Sequence, residues 1–379
     1  MTVASSTCGF VQTDKGDTHQ LLQCLGKGGW GAVFKVRLKD GTECVLKVGE
    51  GILQEGRVQR TLTEAGVPNI VRYMGSLKLT QIEAAVHCSD FDVELHHAAS
   101  QPPQDAILME LLPSKDCCDQ FMIPFISDPS TRLSFEELRE KIVKPALQTL
   151  KDMHERLGYV HCDIKPTNAW HCRESGQFKL FDFGDAKLER DIDPKLRDGT
   201  LCYSPPECVL HTTSNRSRDI WSLGVTIFEL YTGSEAFKVP LGDDKQRAND
   251  YLFMLAENKG KFPPLELFKT SPVQHFFSIR DGKVNLKVSK ECEALVAFQK
   301  HAWELYPGER LWKARIRYIA AYRAFGEGGH GVDNVDEVAN AVIKLIKPML
   351  SYKHPISAAE ALRRLESPEE TSEKKVANG

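Results

Sequence analysis

Short apolar runs separated by turn residues open the chain, and longer helical spacings follow. VFKVRL (Val33–Leu38) and ECVLKV (Glu43–Val48) flank Lys39-Asp40-Gly41-Thr42, which predicts strand, turn, strand. From Glu55, the apolar positions Val58 and Leu62 share one helix face before Pro68, while Gly49, Gly51 and Gly56 weaken the helix start. Ile107–Leu112 is a continuous apolar run of strand length. Ser134-Phe135-Glu136-Glu137 has the spacing of a capping box. The helix it opens carries Ile142, Ala146, Leu150 and Met153 on one face to about His154, with a kink or break expected at Pro145. A further apolar helix runs from Asp219 to about Thr232-Gly233.

Three stretches exceed what these elements need. Residues 74–106, with HCSDFD and QPPQD, read as an exposed insertion. A second insertion covers about 234–343, and within it WELYPGERLWKARIRYIAAYRAF (303–325) reads as an amphipathic helix. Its charges offer either a basic docking groove or a solvated face. The tail from residue 366 is charged and poor in apolar residues, the composition of a disordered segment.

Composition narrows the classes without choosing one. The chain has 379 residues, with 49 Lys and Arg against 52 Asp and Glu, so nothing points to a nucleic-acid partner. No apolar run reaches the roughly 18 residues of a membrane span, and the N-terminus lacks a signal-peptide pattern. Eleven cysteines without a framework fit free thiols, hence cytoplasm or nucleus. Cys117-Cys118 and the His87-Cys88, His96-His97 cluster lack zinc-ligand spacing and read as loop residues.

The chemistry concentrates between His161 and Lys187. His161-Cys162-Asp163-Ile164-Lys165-Pro166-Thr167-Asn168 is followed by a segment that reads as a hairpin, then Asp182-Phe183-Gly184. In-line phosphoryl transfer needs a carboxylate at the accepting hydroxyl and metal-binding side chains at the phosphates. This order and spacing resemble the catalytic and metal-binding loops of protein kinases. Leu25-Gly26-Lys27-Gly28-Gly29-Trp30-Gly31-Ala32-Val33 resembles the glycine-rich loop of that family; alone it would be weak, but it leads into a strand rather than a helix. Gly199-Thr200 through Pro205-Pro206-Glu207 resembles the family's substrate-docking segment.

The resemblance covers roughly Leu21 to Leu365. It implies an α+β, two-lobed fold: an extension over 1–20, a β-rich N-lobe over about 21–108, a hinge at 109–113 and a helical C-lobe over 114–365 with insertions. It implies ATP and Mg²⁺ as cofactors and transfer to protein Ser or Thr hydroxyls, since Lys165 and Thr200 mark that class. Asp163 would orient the hydroxyl, Lys165 steady the phosphoryl group, and Asn168 and Asp182 hold the metal. Lys47 would bind phosphates, locked by Glu55, with Glu64 as the alternative. Gly26, Gly28, Gly31, Val33, Val45, Met109 as gatekeeper, the backbones of Glu110 and Leu112, and Trp170 would form the ATP site, with Trp30 at the loop tip. Regulatory proteins would bind at the insertions.

Departures from the family pattern leave other readings open. Trp170 stands in place of a leucine, and no arginine occupies the usual position to pair with Glu207, leaving Lys353, His354, Arg310 or Arg315. A pseudokinase scaffold, or a small-molecule or lipid kinase, are the alternatives. EGRVQRTLTEAGVPNI resembles the casein kinase group, and YLFMLAENKGKFPP with Gln274-His275-Phe276 resembles the insert of CMGC kinases. Cys162 replaces the arginine that catches an activation-loop phosphate, and residues 185–199 contain no Ser, Thr or Tyr. Glu189, Asp191 and Asp193 there read as a solvated acidic loop. These two features imply activity without phosphorylation.

Overall fold

In a computed structural model, the described residues are 9–28, 31–88, 91–97, 104–113, 133–196, 198–302, 310–326, 335–352 and 356–366. The chain divides into two compact units. One comprises residues 1–115 with 181–184, and the other 116–180 with 185–379.

The first unit holds β1 Gly9–Thr13, β2 Thr18–Gly28, β3 Gly31–Arg37, β4 Glu43–Gly49, α1 Ile52–Glu64, β5 Tyr73–Cys88, β6 Phe91–His97 and β7 Gln104–Met109. The sheet order is β1-β2-β3-β4-β7-β5-β6, and β1 also pairs with β5. All the pairings are antiparallel, and the β1–β5 pairing closes six of the strands into a barrel. Residues 9–20, read as an extension, therefore belong to this barrel. The period-two pattern explains the closure, since one face of each strand must leave water. Val11, Leu21, Phe34, Leu46 and Leu79 are all fully buried in the interior.

The same alternation sends Val45 and Lys47 to the outer face of β4. There Val45, Ile107 and Met109 cluster with Ile52 of α1, and Val33, Leu112 and Phe181 pack against them. The predicted turn forms as expected: the Asp40 side chain accepts from Thr42 N–H at 2.9 Å, and Gly41 takes a left-handed φ of 88°. The insertion over 74–106 is largely strand rather than an exposed loop, because β5 continues past β7 and pairs there with β6. His87, Cys88, His96 and His97 lie on these strands, not in loops. Cys117, Cys118, Trp30 and the tail beyond residue 366 lie outside the described residues.

In the second unit the capping box is present. Ser134 Oγ accepts from Glu137 N–H at 3.1 Å, and Glu137 Oε2 accepts from Ser134 N–H at 3.0 Å. Helical backbone then runs through Phe135–Leu138, a π-helical stretch Arg139–Val143, Lys144–Lys151 and a second π-helical stretch Asp152–Leu157. Pro145 does not break it. The wider π turn ahead of Pro145 places the proline near the start of the next α segment, where its missing N–H costs little. Helix Ser217–Thr232 is buried along nearly its whole length and stops at Gly233 with φ 69°.

The described parts of the second insertion, 234–302, 310–326 and 335–343, belong to this unit. Helix Asp244–Lys259 buries Tyr251, Leu252 and Met254. The stretch read as one amphipathic helix over 303–325 is helical over Leu311–Gly326, with 303–309 outside the described residues. Among its described residues only part of the helix is solvated: Tyr318 is exposed and Lys313 and Arg317 are half-buried. Leu311, Trp312, Arg315 and Ile316 are buried. Arg315 stacks over the Phe228 ring at 4.6 Å and donates to the carbonyls of Ala236 at 3.0 Å and Glu235 at 2.7 Å. Its charge serves unpaired carbonyls inside the fold.

Candidate active site

Each unit carries its own part of the predicted site. In the first, Lys47 Nζ lies 2.8 Å from Glu55 and 2.7 Å from Asp182 Oδ1. Burial alone would lower the Lys47 pKa, but the two carboxylates reverse this and raise it, keeping the ammonium charged. Glu55 is buried, whereas Glu64 pairs on the surface with Arg60, so Glu55 is the partner.

Two of the glycines that weaken the helix start have structural reasons, one in the backbone and one in packing. Gly51 caps α1 in a left-handed conformation, and a Cβ at Gly56 would meet Ile107 Cγ2 at 2.8 Å. A glycine at 56 thus lets α1 pack closely against Ile107 of β7.

In the glycine-rich hairpin, Gly26 pairs with Val33 and Gly28 with Gly31. A Cβ on Gly31 would lie 2.0 Å from Val48 O, while Gly26 has open space around it. Gly31 is thus fixed by strand packing, and Gly26 leaves room for a bulky neighbour. Val45 and Met109 are close to fully buried on the Lys47 face. Glu110 N–H donates to Arg72 O at 3.0 Å, and the Glu110 carboxylate accepts from Arg72 N–H and Nε–H at 3.1 and 2.8 Å. Those contacts fix the end of β7.

In the second unit, Asp163 is bonded through both carboxylate oxygens. Oδ1 accepts from Thr200 Oγ1 at 2.8 Å. Oδ2 accepts from Asn168 Nδ2 at 3.0 Å and lies 2.8 Å from Lys165 Nζ. Lys165 also donates to Thr200 Oγ1 at 2.9 Å. Asn168 spends its Nδ2 on Asp163, so its amide oxygen remains an oxygen donor of the kind Mg²⁺ takes. Asp182 in the first unit is a partly exposed carboxylate. Both donor types fit the metal. Trp170 is buried in the short ladder Ala169–His171 with Phe178–Leu180, which is the expected hairpin.

The loop carrying Asp163 hangs from Asp219, which has no exposed surface. Asp219 accepts from the backbone N–H of His161 at 2.8 Å and of Cys162 at 2.9 Å, and its Oδ2 lies 2.8 Å from His154 Nε2. Burial opposes its charge, but these bonds hold its carboxyl below the usual aspartate range. Cys162 is held at a φ of 69°, a conformation side chains resist and the surrounding bonds impose.

A model of the protein kinase domain matches residues 19–355. The chain belongs to the protein kinase family. It is 29% identical over 232 residues to a probable serine/threonine-protein kinase of Dictyostelium discoideum, covering 59% of this chain and 39% of the relative. It is 28% identical over 285 residues to ribosomal protein S6 kinase alpha-6 of Danio rerio, covering 72% of this kinase-family chain and 35% of the relative. Human ribosomal protein S6 kinase alpha-1 is 28% identical over 277 residues, covering 71% and 35%. The chain thus spans well under half the length of these relatives.

Several contacts in this kinase fold escaped the sequence. Thr200 served only as a class marker, yet its hydroxyl touches Asp163. Asp191 and Asp193 are exposed as read, but Glu189 is half-buried and paired: it accepts from Arg216 N–H at 2.9 Å and from Arg216 Nε at 2.8 Å. Neither Arg310 nor Arg315 pairs with Glu207. Arg310 donates to Lys259 O, and Arg315 to residues 234–236. Lys353 and His354 lie outside the described residues. Tyr352, just before them, stacks on Trp221 with ring centroids 5.7 Å apart. Burial raises the Glu207 pKa, and the charge opposing this is Arg218.

The 199–207 segment is also held by Glu229, fully buried on helix Ser217–Thr232. Its Oε2 accepts from Tyr203 Oη at 2.7 Å and its Oε1 from Ala236 N–H at 3.1 Å. Burial pushes its pKa up to about 7. A carboxyl raised in the folded state stabilises fully below its unfolded pKa, and that contribution is lost as pH rises through about 7. From pH 5 to 8 the wild type is expected to lose roughly 3 kcal/mol relative to Glu229→Gln. Urea midpoints of both proteins across that range check it; parallel curves refute it.

Proposed function

We propose that this chain is an ATP- and Mg²⁺-dependent serine/threonine protein kinase that works without a phosphate on its activation segment. The observation that carries the reading is the bonded set of Asp163, Lys165 and Thr200. In this reading Asp163 takes or orients the proton of a protein hydroxyl, and Lys165 steadies the phosphoryl group in flight. Asn168 and Asp182 hold the metal, and Lys47, positioned by Glu55, grips the phosphates. Bound ATP supplies the γ-phosphoryl group; the protein supplies placement and charge. Val33, Val45, Met109 and Trp170 offer the apolar surfaces for the base.

The activation segment supports the second half of the proposal. It has no hydroxyl to phosphorylate over 185–199, and Cys162 cannot pair with a phosphate. Its own charges are paired instead, Glu189 with Arg216 and Lys187 with Asp198. Buried Cys44, Cys162 and Cys292 are free thiols, in keeping with a cytoplasmic or nuclear setting. The insertions are proposed as sites for regulatory proteins. The casein-kinase-like and CMGC-like segments are taken as local likenesses on a chain whose relatives above include S6 kinases.

Transfer from radiolabelled ATP to a basic protein substrate, with Asp163→Asn as control, tests the reading. Activity that vanishes in the control supports it, and an inactive wild type would favour the scaffold alternative. Phosphatase treatment is expected to leave the rate unchanged. A drop of about tenfold, roughly 1.4 kcal/mol of barrier, would remove the phosphate-independent part.

A further inference from the structure

Helix Ser217–Thr232 begins with a charge that has almost no access to water: Arg218 is 3% exposed. Its Nη2 donates to Asp198 O at 2.7 Å and to Cys162 O at 3.3 Å, and its Nη1 donates to Ser214 Oγ at 2.9 Å. The positions of the two carbonyls are informative. Cys162 immediately precedes Asp163, and Asp198 stands two residues before Thr200, whose hydroxyl is bonded to Asp163. One guanidinium therefore joins the backbone on both sides of the Asp163–Thr200 hydrogen bond.

Neighbouring groups reinforce the same juncture. Gly199, between the two segments, has a φ of 77°, and a Cβ there would lie 2.3 Å from Cys162 O. Its N–H donates to Asp185 Oδ2 at 3.1 Å, and Asp198 Oδ1 accepts from Lys187 Nζ at 2.8 Å. The cavity beside Arg218, lined by Asp198, Ser204, Cys208 and Ser214, has a volume of about 10 Å³. That is space for about one water, not for a phosphate group. Arg218 is committed to internal carbonyls and does not face an anion site.

We propose that Arg218 is a positioning residue for phosphoryl transfer, clamping the Asp163 loop to the Thr200 segment from inside the protein. The proposal rests on the kinase reading above and explains how the segment stays ordered with Cys162 in place of an arginine. The clamp is permanent, because its acceptors are backbone carbonyls rather than an added phosphate. Charge-bearing donors on buried carbonyls are among the stronger hydrogen bonds, and leaving such carbonyls unpaired is costly.

The test uses the full chain with Arg218→Met and Arg218→Lys. In Arg218→Met, kcat is expected to fall about 100-fold, the scale of a misplacement near 1 Å. KM for ATP should stay within about twofold, since nothing that Arg218 touches belongs to the proposed nucleotide site. Arg218→Lys, which keeps the charge but loses the fork, should recover part of kcat. Amide hydrogen exchange over 198–201 should accelerate in both variants. A folded Arg218→Met with wild-type kcat overturns the proposal, as does a loss explained entirely by a smaller folded fraction. If the Met variant does not fold, the Lys variant carries the same comparison. Should the wild type itself transfer no phosphoryl group, the kinase reading fails first. Exchange still decides the clamp: unchanged protection over 198–201 in the variants rejects it.

Discussion

Lys47→Met and Asp182→Asn are each expected to reduce phosphoryl transfer by several hundred-fold or more. Lys47 Nζ touches both Glu55 and Asp182, so it is the hub of the charges in the first unit. Removing one preorganised electrostatic contact to a transition state costs about 2.7–4 kcal/mol. The two variants differ in their structural cost. Asp182 has a side chain 42% exposed, so its amide replacement leaves the fold intact. Lys47→Met leaves Glu55, with its side chain 6% exposed, lacking its cation, so that carboxyl will take up a proton more easily. Single-turnover measurements on protein shown to be folded decide the matter. Near-wild-type turnover in either variant means that these charges do not face the reacting phosphate.

Asp219→Ala should be the most destabilising single change in the second unit. Its carboxylate serves two backbone N–H groups and His154 at once, in a site with no exposed surface. Each hydrogen bond to a charged group is worth about 1.5–3 kcal/mol, and the buried backbone N–H groups left unpaired add to the loss. The effect on chemistry should accompany the effect on folding, because these N–H groups belong to the residues next to Asp163. Because the Asp219 pKa lies below its ordinary value, its contribution is present above the unfolded pKa and fades as pH falls through the folded one. Chemical denaturation at neutral pH measures the loss; a change under about 1 kcal/mol would show that the loop does not depend on this anchor.

The proposed catalytic residues could be named from the sequence because the chemistry asked of them fixes their spacing. Asp163 and Asn168 share one short loop, and that spacing lets Asn168 Nδ2 reach Asp163 Oδ2 at 3.0 Å. Glu55 could be read from the apolar face that Val58 and Leu62 define on its helix, and Ser134 from its capping partner Glu137. What the sequence hid depends on partners far along the chain. Arg315 looked like a surface charge because nothing local announces that the carbonyls of 235 and 236 need a donor. Glu189 looked solvated because Arg216 is 27 residues away. Pro145 looked like a break because a π turn, which leaves no local composition signal, moves the proline to a harmless position. An arginine beside Asp219, at the start of an otherwise apolar helix, was the one visible sign of the clamp at Arg218.

The barrel of the first unit also constrains how it is made. Val11 of β1 pairs with Ile82 of β5, so closure joins residues 71 positions apart. Such a contact pays its loop-closure entropy late, after the local hairpins have formed. During synthesis, which proceeds from the N-terminus, β1 and β2 emerge before β5, and β1 must wait until Ala84 has left the ribosome to complete its pairing. Through that interval Val11 and the facing edge of β5 lack their final cover. Within the barrel, β1 is made before its partner β5 and is among the last strands to be secured.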